Sequence, residues 1–339
     1  MPVNILSICD PTRYAKPPLD VPTFYQRLSR DPRVHFHHIP VANVLSGVDR
    51  PHIRVASTAG PLSYEAFTKL GDRATELKSL MDMDLVFCRT LKPFPLGYLS
   101  ELSRWEAWTR FVNRPSTKQR QIEPDFLLKV ASGFIPDALI TTDWRAAQSF
   151  FERHGTIVAK QANSCGGRGV YKIWYDRGFY VDNLLAGTQH FAQFEAVMRY
   201  LQRSPEPLQF YRYLNRVHAG DKRVVVVDGE IYGSYLRRSK GGHWVNNVSG
   251  DGECTLADIS AEEVEAIRQT VGAYQQLGLH TLGYDFLMDD DGTWRISEIN
   301  AGNIGGFARL ELLTGKPVMT HLVDWMIAFS RRAPSAIAA

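Results

Sequence analysis

The chain is poor in cysteine, in long apolar runs and in charge of one sign, and each shortage closes off a class of protein. Its four cysteines, Cys9, Cys88, Cys165 and Cys254, stand far apart, with no Cys-x-x-Cys pair and no histidines at zinc-site spacing. That speaks against a disulfide framework or a thiolate zinc site and for reduced thiols in a cytoplasmic setting. No run of about 18 apolar residues occurs, so no membrane span is expected. The start, Met1-Pro-Val-Asn-Ile-Leu-Ser-Ile-Cys9, has no basic stretch ahead of an apolar core, and no signal peptide is expected. The net charge of +3 is too small to imply nucleic acid or a membrane surface as a partner. No internal repeat is present, and no Gly-Lys-Ser/Thr ending marks a P-loop.

What remains is globular in composition: 339 residues, 44% apolar and 22% charged, enough for two or three domains with a sizeable core. Val3–Cys9, Val34–Ile39 and Leu85–Cys88 read as strands. Helical stretches are expected around Thr23–Ser29, Tyr64–Met81 and Gly97–Phe111, so residues 1–112 form an α/β layer. Asn113-Arg-Pro-Ser-Thr117 reads as a linker. A central unit over 113–205 carries helices near Glu123–Ser132, Asp143–His154 and Gln189–Gln202, and strands Thr156–Lys160 and Val170–Trp174. A last unit over 206–330 holds strand Leu208–Leu214, a hairpin through Asp228-Gly229, and a helix opened by the capping box Ser260-Ala-Glu-Glu263. Val264, Ile267, Val271 and Tyr274 form the apolar stripe of that helix. A second hairpin and a helix over His321–Ser330 follow. The tail 331–339 is read as flexible.

Three motifs carry chemistry. The first is Gly283-Tyr-Asp-Phe-Leu-Met-Asp-Asp-Asp-Gly-Thr-Trp-Arg-Ile-Ser-Glu-Ile-Asn300. Asp291-Gly292 is a hairpin signal. A tight loop there faces Asp290 with Thr293, sets Asp285 opposite Glu298, and puts Asn300 on the same face. Leu287 and Ile296 join that face, and Phe286 and Ile299 the other. Two carboxylates that close repel unless a cation lies between them, and carboxylate, carboxylate and amide oxygen suit Mg²⁺. The competing reading is an acidic, solvated turn. The second motif, Gln161-Ala-Asn-Ser-Cys-Gly-Gly-Arg-Gly169, joins strand to strand as a glycine-rich flap whose N–H groups suit phosphate, with Lys160 at its root. Cys165 lies in it without a His–Asp partnership, which argues against a nucleophile. The third is the basic hairpin: pairing Val227 with Glu230 sets Arg223 opposite Ser234, with Arg238 on the same face and Lys222 and Arg237 on the other. Arginines held this way recognise phosphate and carboxylate oxygens.

In this order, a lysine at a strand end, a flap, a basic hairpin and Asp…Glu-x-Asn, the chain resembles the ATP-grasp superfamily, and within it the bacterial glutathione synthetase-like group. Gly220-Asp-Lys-Arg-Val224 resembles that group's Gly-Asp-Lys-Arg-Val. Asn113-Arg-Pro115 resembles its Asn-Lys-Pro linker, and Phe87-Cys-Arg-Thr-Leu-Lys-Pro-Phe94 its Met-Arg-Lys-Asp-Pro-Pro-Phe. The resemblance runs over residues 3 to 325. It implies an ATP-grasp fold behind an N-terminal α/β domain, with nucleotide between two α+β subdomains. The activity implied is an ATP-dependent ligase joining a small-molecule or peptide carboxylate to an amine through an acylphosphate.

By matching position, Lys160 would contact ATP phosphates and Gly166, Gly167 and Gly169 would form the flap. The segment Gln209–Leu214, with Tyr211 and Leu214, would hold adenine. Asn247 would lie near the metals. Asp285, Glu298 and Asn300 would ligate two Mg²⁺ ions, with Mn²⁺ an alternative. Arg223 and Arg238 would neutralise phosphate, and Arg89 would meet a substrate carboxylate. Relatives are often homo-oligomers.

Three departures stand out. No lysine occupies Pro124–Asp125, where the group has its first ATP lysine; Lys118 and Lys129 are the nearest substitutes. Val245 replaces an arginine. Ala301-Gly-Asn-Ile-Gly-Gly-Phe307 replaces Val-Thr-Ser-Pro-Thr beside the acceptor, and Gly305 and Gly306 are read as leaving room for substrate. The rivals are glutathione synthetase itself, a RimK-like or specialised-metabolism ligase, and a non-catalytic ATP-binding regulator.

Overall fold

A computed structural model describes residues 1–14, 20–45, 51–58, 60–91, 94–162, 167–239, 241, 243–246 and 252–332. It is an α/β structure with three sheets. The first has β1 (Val3–Cys9), β2 (Val34–Pro40), β3 (His52–Ser57), β4 (Glu76–Ser79) and β5 (Leu85–Cys88) in the order β4-β3-β2-β1-β5. The second has β6 (Ala138–Thr141), β7 (Ile157–Lys160), β8 (Val170–Tyr175), β9 (Phe179–Asn183), β10 (Gly187–Phe191) and β11 (Leu208–Arg212) in the order β10-β9-β8-β7-β11-β6. The third has β12 (Asp221–Val227), β13 (Glu230–Arg238), β14 (Glu253–Leu256), β15 (Thr281–Met288) and β16 (Trp294–Asn300) in the order β14-β13-β12-β15-β16.

The helices are α1 (Asp20–Arg30), α2 (Tyr64–Thr68), α3 (Tyr98–Trp105), α4 (Pro115–Gln121), α5 (Phe126–Ala131), α6 (Trp144–His154), α7 (Phe194–Leu201), α8 (Ala261–Gln276), α9 (Phe307–Thr314) and α10 (Val318–Ser330). Two stretches expected to be helical differ. The one over 64–81 ends at Thr68 and leads into edge strand β4. The one over 189–202 begins only at Phe194, after edge strand β10. Both strands are short, polar and largely exposed, so no alternating apolar pattern announces them.

The face of each strand follows from parity. On β12, Val224 and Val226 pack inward against α5 and α8 with Tyr284, Phe286, Ile296 and Ile299. Val225 and Val227 face the other way and join α1, α9 and α10 beneath the first sheet. Helices α6 and α7 cover the second sheet through Phe150, Phe151, Val197 and Leu201. The capping box is formed: Ser260 accepts from the Glu263 N–H, and the Glu263 carboxylate accepts from the Ser260 N–H. Lys222 reaches the same carboxylate at 2.8 Å and lies 4.1 Å over the Trp294 ring, so it secures α8 from the core side of β12. The stripe of α8 is Glu263, Ala266, Ile267, Thr270 and Tyr274, whereas Val264 is 43% exposed.

Candidate active site

The third sheet carries a row of charge on the face opposite its apolar core. Arg223 and Asp285 are direct partners on β12 and β15, and Asp285 pairs with Glu298 on β16, the one of these two pairings expected from sequence. The route to that register is different. Met288 pairs with Trp294, so the turn is longer than a two-residue loop, and a bulge at Ser297 restores the Asp285–Glu298 pairing. The same bulge turns Ile296 to the Phe286 side, into the core rather than onto the Asp285 face.

A second bulge corrects the basic hairpin. Val225 pairs with Gly233 and Val226 with Ile231, so Tyr232 is the extra residue and Arg223 faces Tyr235 instead of Ser234. A one-residue slip exchanges the faces of everything beyond it. Arg237 therefore lies on the Arg223 face, 2.7 Å from Asp221 and 2.8 Å from Asp285. Arg238 is exposed and its Nε donates to the Ala219 carbonyl.

Asp285 is buried and surrounded by donors. Arg223 grips it with Nε at 2.5 Å and Nη2 at 2.9 Å, Arg237 adds Nη2, and the Asn300 amide donates at 3.0 Å. Burial alone would raise its pKa, but the two guanidiniums more than offset this and hold the carboxyl below its usual value. Asp221, also buried, is pushed up to about 6, by burial first and with Asp285 adding to it, while Arg237 acts in the opposite sense. Gly283 makes room for this grip, since a Cβ there would stand 2.9 Å from Arg223 Nη1.

Glu298 is exposed across the strand pair from Asp285. No cluster of three or more His, Cys, Asp or Glu able to hold a metal occurs among the described residues. The expected set includes only two carboxylates, the third ligand being the Asn300 amide. Glu298 and Asn300 offer hard oxygens that fit Mg²⁺. Asp285 already takes four donors, about as many as a carboxylate accepts, so a cation there must displace one of them.

The second sheet supplies the opposite wall. Lys160 ends β7 and reaches across to donate to the Ser297 carbonyl at 2.9 Å, its Nζ 4.8 Å over the Tyr211 ring. Burial lowers its pKa, while Glu298, Asp285 and Asp221 pull the other way. Gly167 and Gly169 are buried in the turn after β7, and Gly167 has φ +76°. Asn183, which no sequence motif singles out, pins that turn by donating to the Arg168 and Val170 carbonyls. Gly166, Cys165 and Asn247 lie outside the described residues. Tyr211 and Leu214 are buried at the passage from the second sheet to the third.

Arg89 is buried at the end of β5. Its Nη2 donates to the Ile304 carbonyl at 2.8 Å, while Nε and Nη1 find no partner among the described residues. Burial lowers its pKa, and two orphaned charged donors are costly unless an anion meets them. The glycines of the neighbouring segment leave no room. A Cβ on Gly305 would stand 2.9 Å from Asp20, and one on Gly306 would meet Val225 and Tyr235. Asp20 accepts from the Gly306 and Ala308 N–H groups, and Arg223 Nη1 donates to the Gly305 carbonyl. At these glycines the Cβ positions are taken up by the protein's own side chains. Lys118 lies 4.8 Å over the Phe94 ring and against Gly302, and Lys129 pairs with Asp125 on the surface.

Comparison with known proteins places the chain in a family. The family model of the prokaryotic glutathione synthetase ATP-grasp domain matches residues 126–315. Glutathione synthetase of Mesorhizobium japonicum is 27% identical over 249 residues, spanning 72% of this chain and 73% of that protein. The enzyme of Agrobacterium fabrum is 28% identical over 253 residues, 74% and 73%. Among solved structures, a Chryseobacterium gregarium RiPP-associated ATP-grasp ligase, in complex with ADP and a leader and core peptide, covers 99% of this chain and 100% of its own. It has a TM-score of 0.65 at 15% identity. D-cycloserine synthetase DcsG covers 96% and 100%, with a TM-score of 0.63 at 11% identity. At such identities these two share the fold. The chain belongs to the prokaryotic glutathione synthetase ATP-grasp family and is an enzyme of carbon–nitrogen ligation.

Proposed function

We propose that the protein joins a carboxylate to an amine through an acylphosphate at the expense of ATP, as a glutathione synthetase-like ligase. The observation that carries this reading is the row Arg223, Arg237, Asp285, Glu298 and Asn300 on one sheet, faced by Lys160 from another. Such a site positions and neutralises a triphosphate and supplies no side-chain nucleophile, which suits phosphoryl transfer to an external carboxylate.

Mg²⁺, as two ions, would be held by Glu298, Asn300 and Asp285 and would neutralise phosphate charge. Lys160, Gly167 and Gly169 face the phosphates, and Tyr211 and Leu214 border the base. Arg223 and Arg237 stabilise the charge of the transferring phosphoryl group. The unpaired donors of Arg89 support it as the holder of a substrate carboxylate. A carboxylate oxygen attacks the γ-phosphorus, forming the acylphosphate and releasing ADP. The amine then attacks the carbonyl carbon, the C–N bond forms, the C–O bond breaks, inorganic phosphate leaves, and the amine proton passes to solvent.

A substrate matrix tests this reading. The protein is incubated with ATP, Mg²⁺ and pairs drawn from amino acids, γ-glutamyl peptides and other small acids, and phosphate release is measured. Release that requires both an acid and an amine is expected. γ-Glutamylcysteine with glycine as the sole productive pair would identify glutathione synthetase; a different pair would identify a ligase with another acceptor. ATP binding without turnover on any pair would favour a regulator.

A further inference from the structure

The second and third sheets are also joined by two residues to which the ligase reading gives no role, Asp182 and Trp244. Trp244 lies in the segment between β13 and β14, and its Nε1 donates to the Asp182 carboxylate of β9 at 2.6 Å. His243 Nε2 lies 3.5 Å from the same oxygen, and its ring stacks on Trp244 with centroids 5.5 Å apart. The other Asp182 oxygen accepts from Thr188 Oγ1 at 2.9 Å, so the carboxylate is fixed from its own hairpin. Trp244 meets Tyr213 edge-on, and Lys172, the strand partner of Asp182, sits 4.0 Å over that same ring. Asn246 ties the segment to the chain between β11 and β12 by donating to the Val217 carbonyl. Among the described residues, Lys160 to Ser297 and Trp244 to Asp182 bridge the cleft, Arg212 of β11 grips Asp289 beyond β15 at 2.8 and 2.9 Å, and the chain itself crosses at Tyr213–Asn215.

We propose that Asp182 is a positioning residue for the nucleotide: through Trp244 it clasps the two subdomains at the spacing that holds a nucleoside phosphate between them. The proposal rests on the ATP reading above. An indole hydrogen bond to a carboxylate is stronger than one between neutral groups, and this carboxylate is only 19% exposed at its side chain. Neither Asp182 nor Trp244 is assigned to the reacting groups.

A double-mutant cycle on the full chain tests it, reading ADP affinity by calorimetry with Mg²⁺ present. Asp182→Ala and Trp244→Phe should each weaken ADP binding about tenfold, the size of a lost hydrogen bond to a charged group. The double variant should be no weaker than either single one. Trp244→Phe keeps the aromatic packing, so its Tm should stay near wild type. Unchanged affinity in either single variant, or additive losses in the double, would overturn the clasp. Failure of the wild-type protein to bind ADP would instead overturn the ATP reading.

Discussion

Arg237 and Arg238 are adjacent, chemically identical and placed in opposite environments. One bridges two buried carboxylates and the other lies on the surface. Arg237→Gln should therefore lower phosphate release at saturating ATP about a hundredfold or more, the scale of losing a preorganised cation at developing charge. Arg238→Ala should stay within about twofold of wild type. Equal losses would contradict the placement. Parity of strand residues makes Asp285, Glu298 and Asn300 legible as one face from the sequence alone, whereas Arg223 joins that face through the β12–β15 pairing, which no turn signal announces. The choice between the two arginines is not legible from the turn, because a bulge at Tyr232 adds one residue. Its trace in the sequence is Gly233, a lone glycine inside a strand, with φ +147°.

Among the elements, α9 shows what sequence order conceals. Asp20, 286 residues from Gly306, places its carboxylate on the N–H groups that open this helix. Such a contact satisfies orphan donors and suits the positive end of the helix. Asp20→Ala should cost about 1–2 kcal/mol, seen as a Tm lowered by a few degrees, and Asp20→Asn should recover part of it. An unchanged Tm for Asp20→Ala would contradict the role. The glycines beside it look in sequence like space for a ligand. Only the docking of α1 on α9 reveals that Asp20 packs against them. The Ser260 capping box, by contrast, is local in sequence and fully legible there.

For the whole molecule, the alternation of strands and helices announces an α/β fold, while the polar edge strands β4 and β10 escape because pairing, not side-chain pattern, defines them. The N-terminal sheet also sets a pH dependence. Burial lowers His38 from 6.5 to about 4, and His37 likewise, so both are neutral in the fold. The unfolded chain takes up these protons near pH 6.5 and the folded chain only near 4. Their stability contribution is complete above 6.5 and falls away as pH drops toward 4. Asp221, raised to about 6, acts in the opposite sense over the same range. Comparison of variants isolates the histidine: from pH 7 to pH 5 the wild type should lose about 2 kcal/mol more than His38→Gln. Thermal unfolding at the two pH values measures this, and parallel losses would contradict a neutral, buried His38.

The central claim is that this cleft transfers the γ-phosphoryl group to a substrate carboxylate. With the acid substrate identified by the matrix labelled in its carboxylate with oxygen-18, the released phosphate is analysed by mass spectrometry. The account predicts ADP as the nucleotide product and one labelled oxygen in each phosphate. Unlabelled phosphate, or AMP with pyrophosphate as products, would contradict it.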